Sequence, residues 1–147
     1  MVLISNATRQ CALWHQQAAP PGESIIWDYH VIYLFLEGEQ WFVSDFDSDL
    51  PWGLPISSYL LSTFDTSVGR LFAPSFRIME GMDFLSKFSS DRRHMQDQRG
   101  NWLKPAPEWP VINRHSMHNL HQFIDMSRPA PGVIVNLETL RHLPPPE

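Results

Sequence analysis

Residues 27–46 constrain this chain more than any other stretch. Two runs rich in Ile, Val, Tyr and Phe, residues 27–36 and 40–46, flank Glu37-Gly38. Such a pattern predicts a β-hairpin with its tight turn at those two residues. Leu36 then faces Glu39, Leu34 faces Trp41, Ile32 faces Val43, and His30 faces Asp45. Side chains alternate across a strand, so His30, Ile32, Leu34, Trp41, Val43 and Asp45 share one sheet face. Val31, Tyr33, Phe35 and Phe42 take the other. Both faces are largely apolar, which predicts a central sheet covered on both sides. Directly opposed residues hold their Cβ atoms about 4.5–5.5 Å apart, close enough for an imidazole–carboxylate hydrogen bond. A turn shifted by one residue sets His30 opposite Asp47 instead. Parity keeps Asp45 and Asp47 on one face either way, and geometry leaves the choice open.

The rest of the chain supplies one domain, residues 1–147, of α+β type around a mainly antiparallel sheet. Residues 2–5 read as a first strand with nothing ahead of it to cover its edge. Residues 18–23, with Pro20, Pro21 and Gly22, read as a loop, and so do 47–55. Ile56, Tyr59, Leu60 and Phe64 follow helical spacing. Residues 76–79 read as a strand, and Asp83 opens a short helix. Residues 91–110 read as mostly loop, and Asn119 as the cap of a helix holding Leu120, Phe123 and Ile124. Residues 133–137 read as a late strand and 138–143 as a last helix.

Composition narrows the function. Apolar residues make up 43% and charged residues 18%, which excludes a disordered chain. The net charge is −5 with only two lysines, Lys87 and Lys104, so no basic stripe offers a nucleic-acid surface. The apolar runs fall far short of the roughly 18 residues a membrane span needs. Residues 1–10 lack the charged and apolar regions of a secretory leader. The one cysteine, Cys11, excludes an internal disulfide framework and a Cys-rich zinc site, and fits a reducing, intracellular compartment.

A paired His and Asp has two uses. It is a structural hydrogen bond at a sheet end, the commoner case. Or the carboxylate orients an imidazole that activates a nucleophile. His30, Asp45 and Asp47 together offer a third, a two-carboxylate metal site, which predicts sensitivity to chelators. His115, His118 and His121 recur every third residue, but the Asn119 cap breaks any common helix face, so a solvated cluster outweighs a metal site. His94 serves a site wall or the surface equally well, and Trp27 reads first as core packing.

The segment Trp27-Asp28-Tyr29-His30-Val31 resembles the signature of the protein N-terminal glutamine amidohydrolase family. The likeness continues through Ile4-Ser5-Asn6, Trp14, Gln16-Gln17, Ser44-Asp45-Phe46-Asp47, Leu50-Pro51, Phe76-Arg77, residues 88–95, Gly100-Asn101-Trp102, Asn119-Leu120 and Phe123-Ile124. The resemblance implies a transglutaminase- or papain-like fold and a Cys-His-Asp triad, with His30 and Asp45 as its His and Asp. It implies conversion of an N-terminal Gln to Glu with release of ammonia, no cofactor, and protein substrates with a free N-terminal Gln. It further implies a monomer of the cytoplasm or nucleus, in the N-degron pathway. The family carries its nucleophilic Cys on a helix ahead of the strand at residues 2–5, and Cys11 does not match it. That predicts a fragment or a truncated gene assignment, inactive as it stands or reduced to binding peptide N-termini. Selectivity for a terminal Gln needs acidic groups to receive the α-ammonium, and Asp28 and Asp91 are the candidates.

Overall fold

The five strands read from the sequence are largely apolar, and their burial sets the architecture. The computed structural model describes residues 1–106, 108–112, 118–129 and 131–145. In chain order the elements are β1 (Val2–Ser5), β2 (Cys11–Leu13), β3 (Ile25–Trp27), β4 (His30–Glu37), β5 (Gln40–Ser44), β6 (Leu54–Pro55), α1 (Ile56–Thr63), β7 (Ser75–Ile78), α2 (Gly81–Lys87), α3 (Leu120–Ile124), β8 (Val133–Val135) and α4 (Leu137–Arg141), with one 3₁₀ turn at Arg93–Met95. Six strands form one antiparallel sheet in the order β6-β5-β4-β1-β7-β8, and β2 and β3 pair separately. The α+β reading holds. No helix among the described residues is long and apolar enough to cross a membrane.

Strand alternation sorts the core into two layers. Val2 and Ile4 of β1 pack with Ile32, Leu34, Val43, Tyr59, Leu60, Phe76 and Leu140 on the face covered by α1 and α4. Leu3 packs with Met79, Phe84, Leu120, Phe123 and Ile124 on the face covered by α2 and α3. The first strand, expected to carry a bare edge, is instead central: β4 bonds one side of it and β7 the other.

The hairpin departs from expectation in three ways. The turn sits at Gly38-Glu39, where Gly38 takes a φ of +60° that favours glycine at the first turn position. Leu36 therefore faces Trp41 and Leu34 faces Val43, one step from the expected register. Parity is unaffected by that step, so the assignment of faces stands. Residues 27–36 are not one strand. Asp28 stops the ladder, because its carboxylate takes the Tyr29 N–H at 2.9 Å and its carbonyl takes the Ser5 hydroxyl at 2.7 Å. Cover is also incomplete on the second face: Tyr33 is 46% exposed and leans on Phe35, which stacks on Phe42.

Asn119 does precede α3, but its side chain caps nothing there. It accepts the Ser89 N–H and donates to the Lys87 carbonyl, tying α3 to the end of α2. The late strand stops at Val135, and Asn136 caps α4 through the Thr139 N–H at 2.8 Å. His115 lies outside the described residues.

Candidate active site

The far end of the hairpin gathers the chemistry. His30 is the first residue of β4, and Asp45 follows the last residue of β5. The β4–β5 ladder ends at Tyr33 and Ser44, so the chain is already free to turn at Asp45. Asp45 accepts the Asp47 N–H at 3.0 Å, the local turn that Asp side chains commonly make. Its carboxylate thereby swings to His30, with Asp45 Oδ1 2.9 Å from Nε2. The side chains are only 3% and 2% exposed. The pair expected from the sequence thus forms, but by release from the ladder, since continued pairing would have set Asp47 opposite His30. Asp47 instead places Oδ2 4.0 Å from His30 Nδ1, and its side chain is 65% exposed.

Two partners of Asp45 escape sequence reasoning. Tyr59 on α1 donates its hydroxyl to Oδ2 at 2.8 Å, and Gln16 donates its amide at 3.2 Å. Helical spacing marks Tyr59 only as core, and Gln16 stands out only through the family-like Gln16-Gln17 string. The segment around Gln16 also fixes the 46–49 loop. Gln16 bridges Ser48, Gln17 donates its N–H to the Asp47 carbonyl at 2.7 Å, and the His15 carbonyl takes the Ser48 hydroxyl at 2.8 Å. Trp27 stacks on the His30 ring with centroids 5.8 Å apart, joining core packing to support of the imidazole.

Electrostatics follow from these contacts. Burial alone pushes the Asp45 carboxyl up. The hydrogen bond and charge of His30, with the bonds from Tyr59 and Gln16, outweigh it and hold Asp45 below the ordinary value. Burial and the neighbouring Asp45 charge push the Tyr59 hydroxyl well up, so it stays a donor. A carboxylate accepts only, so His30 Nε2 is the donor in this bond, and in the neutral ring Nδ1 is the nitrogen with the lone pair. Because Asp45 is held low, its contribution to stability is complete above about pH 3.9, the unfolded value, and fades as pH falls through the lower folded value. Asp45→Asn is therefore expected to cost its full amount from neutrality down to about pH 4 and progressively less below it. Urea unfolding of both proteins from pH 7 down to 3 measures this, and a pH-independent difference contradicts it.

Cys11 lies in β2 opposite Trp27, fully buried, and burial pushes its thiol up to about 12. A thiol in that state is unreactive. Asp28 is exposed. Asp91 is paired with the Arg93 guanidinium and held below the ordinary carboxylate value, first by the Arg93 N–H. Both still act on His94: burial and then His118 lower its pKa, while Asp91 and Asp28 pull it up. His94 stacks on His118 with centroids 4.9 Å apart. His30, Asp45 and Asp47 offer ligand atoms within 4.8 Å of one another. The Asp45 oxygens already accept four hydrogen bonds, so a cation there would compete with the His30, Tyr59, Gln16 and Asp47 donors.

A family model described as N-terminal glutamine amidase matches residues 1–143. The protein N-terminal glutamine amidohydrolase of Bos taurus is 40% identical over 129 residues, which is 85% of this chain and 62% of that protein. The Homo sapiens protein of the same name is 36% identical over 146 residues, covering 96% of this chain and 71% of its own length. That of Arabidopsis thaliana is 39% identical over 136 residues, 86% of this chain and 61% of its own. The chain thus spans about six- to seven-tenths of these relatives.

Proposed function

The chain belongs to the N-terminal glutamine amidase family, and on that premise we propose that it is the His–Asp portion of an enzyme that converts a protein's N-terminal Gln to Glu and releases ammonia. The observation that carries this reading is the buried His30–Asp45 pair, which engages Nε2 and leaves Nδ1 on the side of Asp47. Such a pair suits a thiol partner at Nδ1, as in a transglutaminase- or papain-like hydrolase, with residues 1–147 forming one domain of it. Cys11 is too deeply buried to serve. The thiol comes from a cysteine-bearing helix that the family resemblance puts ahead of β1.

His30 takes the thiol proton at Nδ1 and the thiolate attacks the carboxamide carbon. Backbone donors stabilise the oxyanion. Nδ1 returns the proton to the departing ammonia, leaving a thioester. A water deprotonated at Nδ1 then releases the product Glu and restores the thiol. Asp45 holds the ring throughout and stabilises the imidazolium. No metal or organic cofactor enters. Asp28 and Asp91, which the sequence offers as acceptors for the α-ammonium, are engaged by the Tyr29 N–H and by Arg93. The new N-terminal Glu suits arginylation and degradation in the N-degron pathway, in a monomeric protein of the cytoplasm or nucleus. A second reading, a metal hydrolase on His30, Asp45 and Asp47, is favoured by the spacing of their ligand atoms. A third, capture of peptide N-termini without turnover, is favoured by the burial of Cys11.

The test compares the 147-residue chain with the same chain extended ahead of Met1 by the family's cysteine helix. Ammonia release is followed from peptides beginning Gln, acetyl-Gln, Gly-Gln and Asn, with and without EDTA. Only the extended enzyme is expected to turn over, only on free N-terminal Gln, and without change in EDTA. Asn is one methylene short, and misplacement by about 1 Å can cost roughly 10²-fold. Activity of the short chain that disappears in Cys11→Ser overturns the assignment of the nucleophile. Rate loss in EDTA favours the metal reading, and binding without ammonia release from either form favours the third.

A further inference from the structure

The structure assigns to Asp47, resting on the amidase reading, the role of receiving the substrate's free α-ammonium beside the reacting carboxamide. The argument begins with reach. The carboxamide must come within about 3 Å of His30 Nδ1 for proton transfer. In a terminal Gln four bonds separate the α-nitrogen from the carboxamide carbon, a span of at most about 5 Å. The ammonium is therefore confined to a small shell around Nδ1. Asp47 Oδ2 lies inside it, 4.0 Å from Nδ1.

Availability points the same way. Asp45 meets the other ring nitrogen, Nε2, and its oxygens are saturated by His30, Tyr59, Gln16 and the Asp47 N–H. The Asp91 carboxylate is taken by Arg93, and that of Asp28 by the Tyr29 N–H. Among the described residues the Asp47 carboxylate accepts no hydrogen bond, and its side chain is 65% exposed. It is nonetheless well placed, because both backbone groups are held: its N–H by Asp45 and its carbonyl by the Gln17 N–H at 2.7 Å. A fixed backbone with a free carboxylate is the arrangement a ligand cation requires, since no internal bond must be broken to bind it. The neighbouring residues need not fit any one side chain, so the contact selects a free amine and not a sequence.

The extended enzyme is assayed on a Gln-initiated peptide and on its desamino analogue, which keeps the carboxamide and lacks only the amine. Asp47→Asn is expected to raise KM for the free-amine peptide about tenfold, with kcat changed less than threefold. A hydrogen bond to a charged group is worth at least that much once the bound substrate shields it from water. Rising salt should raise the KM of the unsubstituted enzyme and leave that of Asp47→Asn flat. Asp47→Glu should recover part of the loss, and the desamino peptide should not distinguish the variants. An unchanged KM for Asp47→Asn, or equal losses on the two peptides, overturns the role of Asp47. Failure of the unsubstituted extended enzyme to release ammonia from the Gln peptide instead overturns the amidase reading itself.

Discussion

His30→Ala and Asp45→Asn are each expected to cut turnover of the extended enzyme by several orders of magnitude while the chain still folds. Losing the triad carboxylate costs on the order of 10⁴ in a serine protease, and the same logic applies to this pair. Asp45 accepts from His30 Nε2 at 2.9 Å, which keeps the ring proton on Nε2 and the lone pair on Nδ1. An amide at position 45 can turn its NH₂ toward Nε2, which moves the proton to Nδ1 and blocks the step that receives the thiol proton. The amide oxygen can still take one of the Tyr59 and Gln16 bonds, so the fold survives with a moderate loss. His30→Ala removes the base outright and leaves Trp27 without its stacking partner. Ammonia release from a Gln-initiated peptide, with circular dichroism as the control for folding, measures both. Asp47→Asn should cost far less in kcat. Tolerance of Asp45→Asn beside collapse of Asp47→Asn would reverse the two carboxylates.

Arg77→Met is expected to destabilise the protein by about 3–5 kcal/mol, the largest effect on folding of any single change considered, because it strips four carbonyls, one buried and three part-buried, of one shared donor. Arg77 belongs to β7, fully buried on the face that α3 covers. Among the described residues its guanidinium pairs with no carboxylate. It donates instead to the carbonyls of Phe123, Asp125, Arg128 and Pro131, with Nε 2.7 Å from Phe123 and Nη2 2.6 Å from Asp125. Those carbonyls belong to the C-terminal end of α3 and the loop after it, where orphan acceptors and the helix dipole favour a cation. Methionine fills similar volume but satisfies none of them. Lysine restores the charge without the planar fork and should recover only part. Urea unfolding decides the matter, and a loss below about 1 kcal/mol would show that water replaces the guanidinium at little cost.

Arg77 also marks where sequence reasoning stops. A charged residue inside an apolar strand pattern signals a buried contact, yet nothing local says that its partners lie 46 and more residues away. The same boundary runs through the site. The sequence alone determined that His30 shares a sheet face with Ile32, Leu34 and Val43 and that Asp45 and Asp47 follow the partner strand at its end, because side-chain direction in a strand has period two and survives a one-step error in the turn. It also carried the family strings on which the amidase reading rests. The tertiary structure alone decided which carboxylate meets which imidazole nitrogen. That choice depends on where the β4–β5 ladder ends, and it ends at Ser44. Contacts from a distant segment then hold residues 46–49 in a turn through Gln16 and Gln17. The same packing brings Tyr59 from α1 onto Asp45 and sets β1 between β4 and β7. A strand's faces follow from its own backbone, whereas its ends and neighbours follow from what the rest of the chain packs against it.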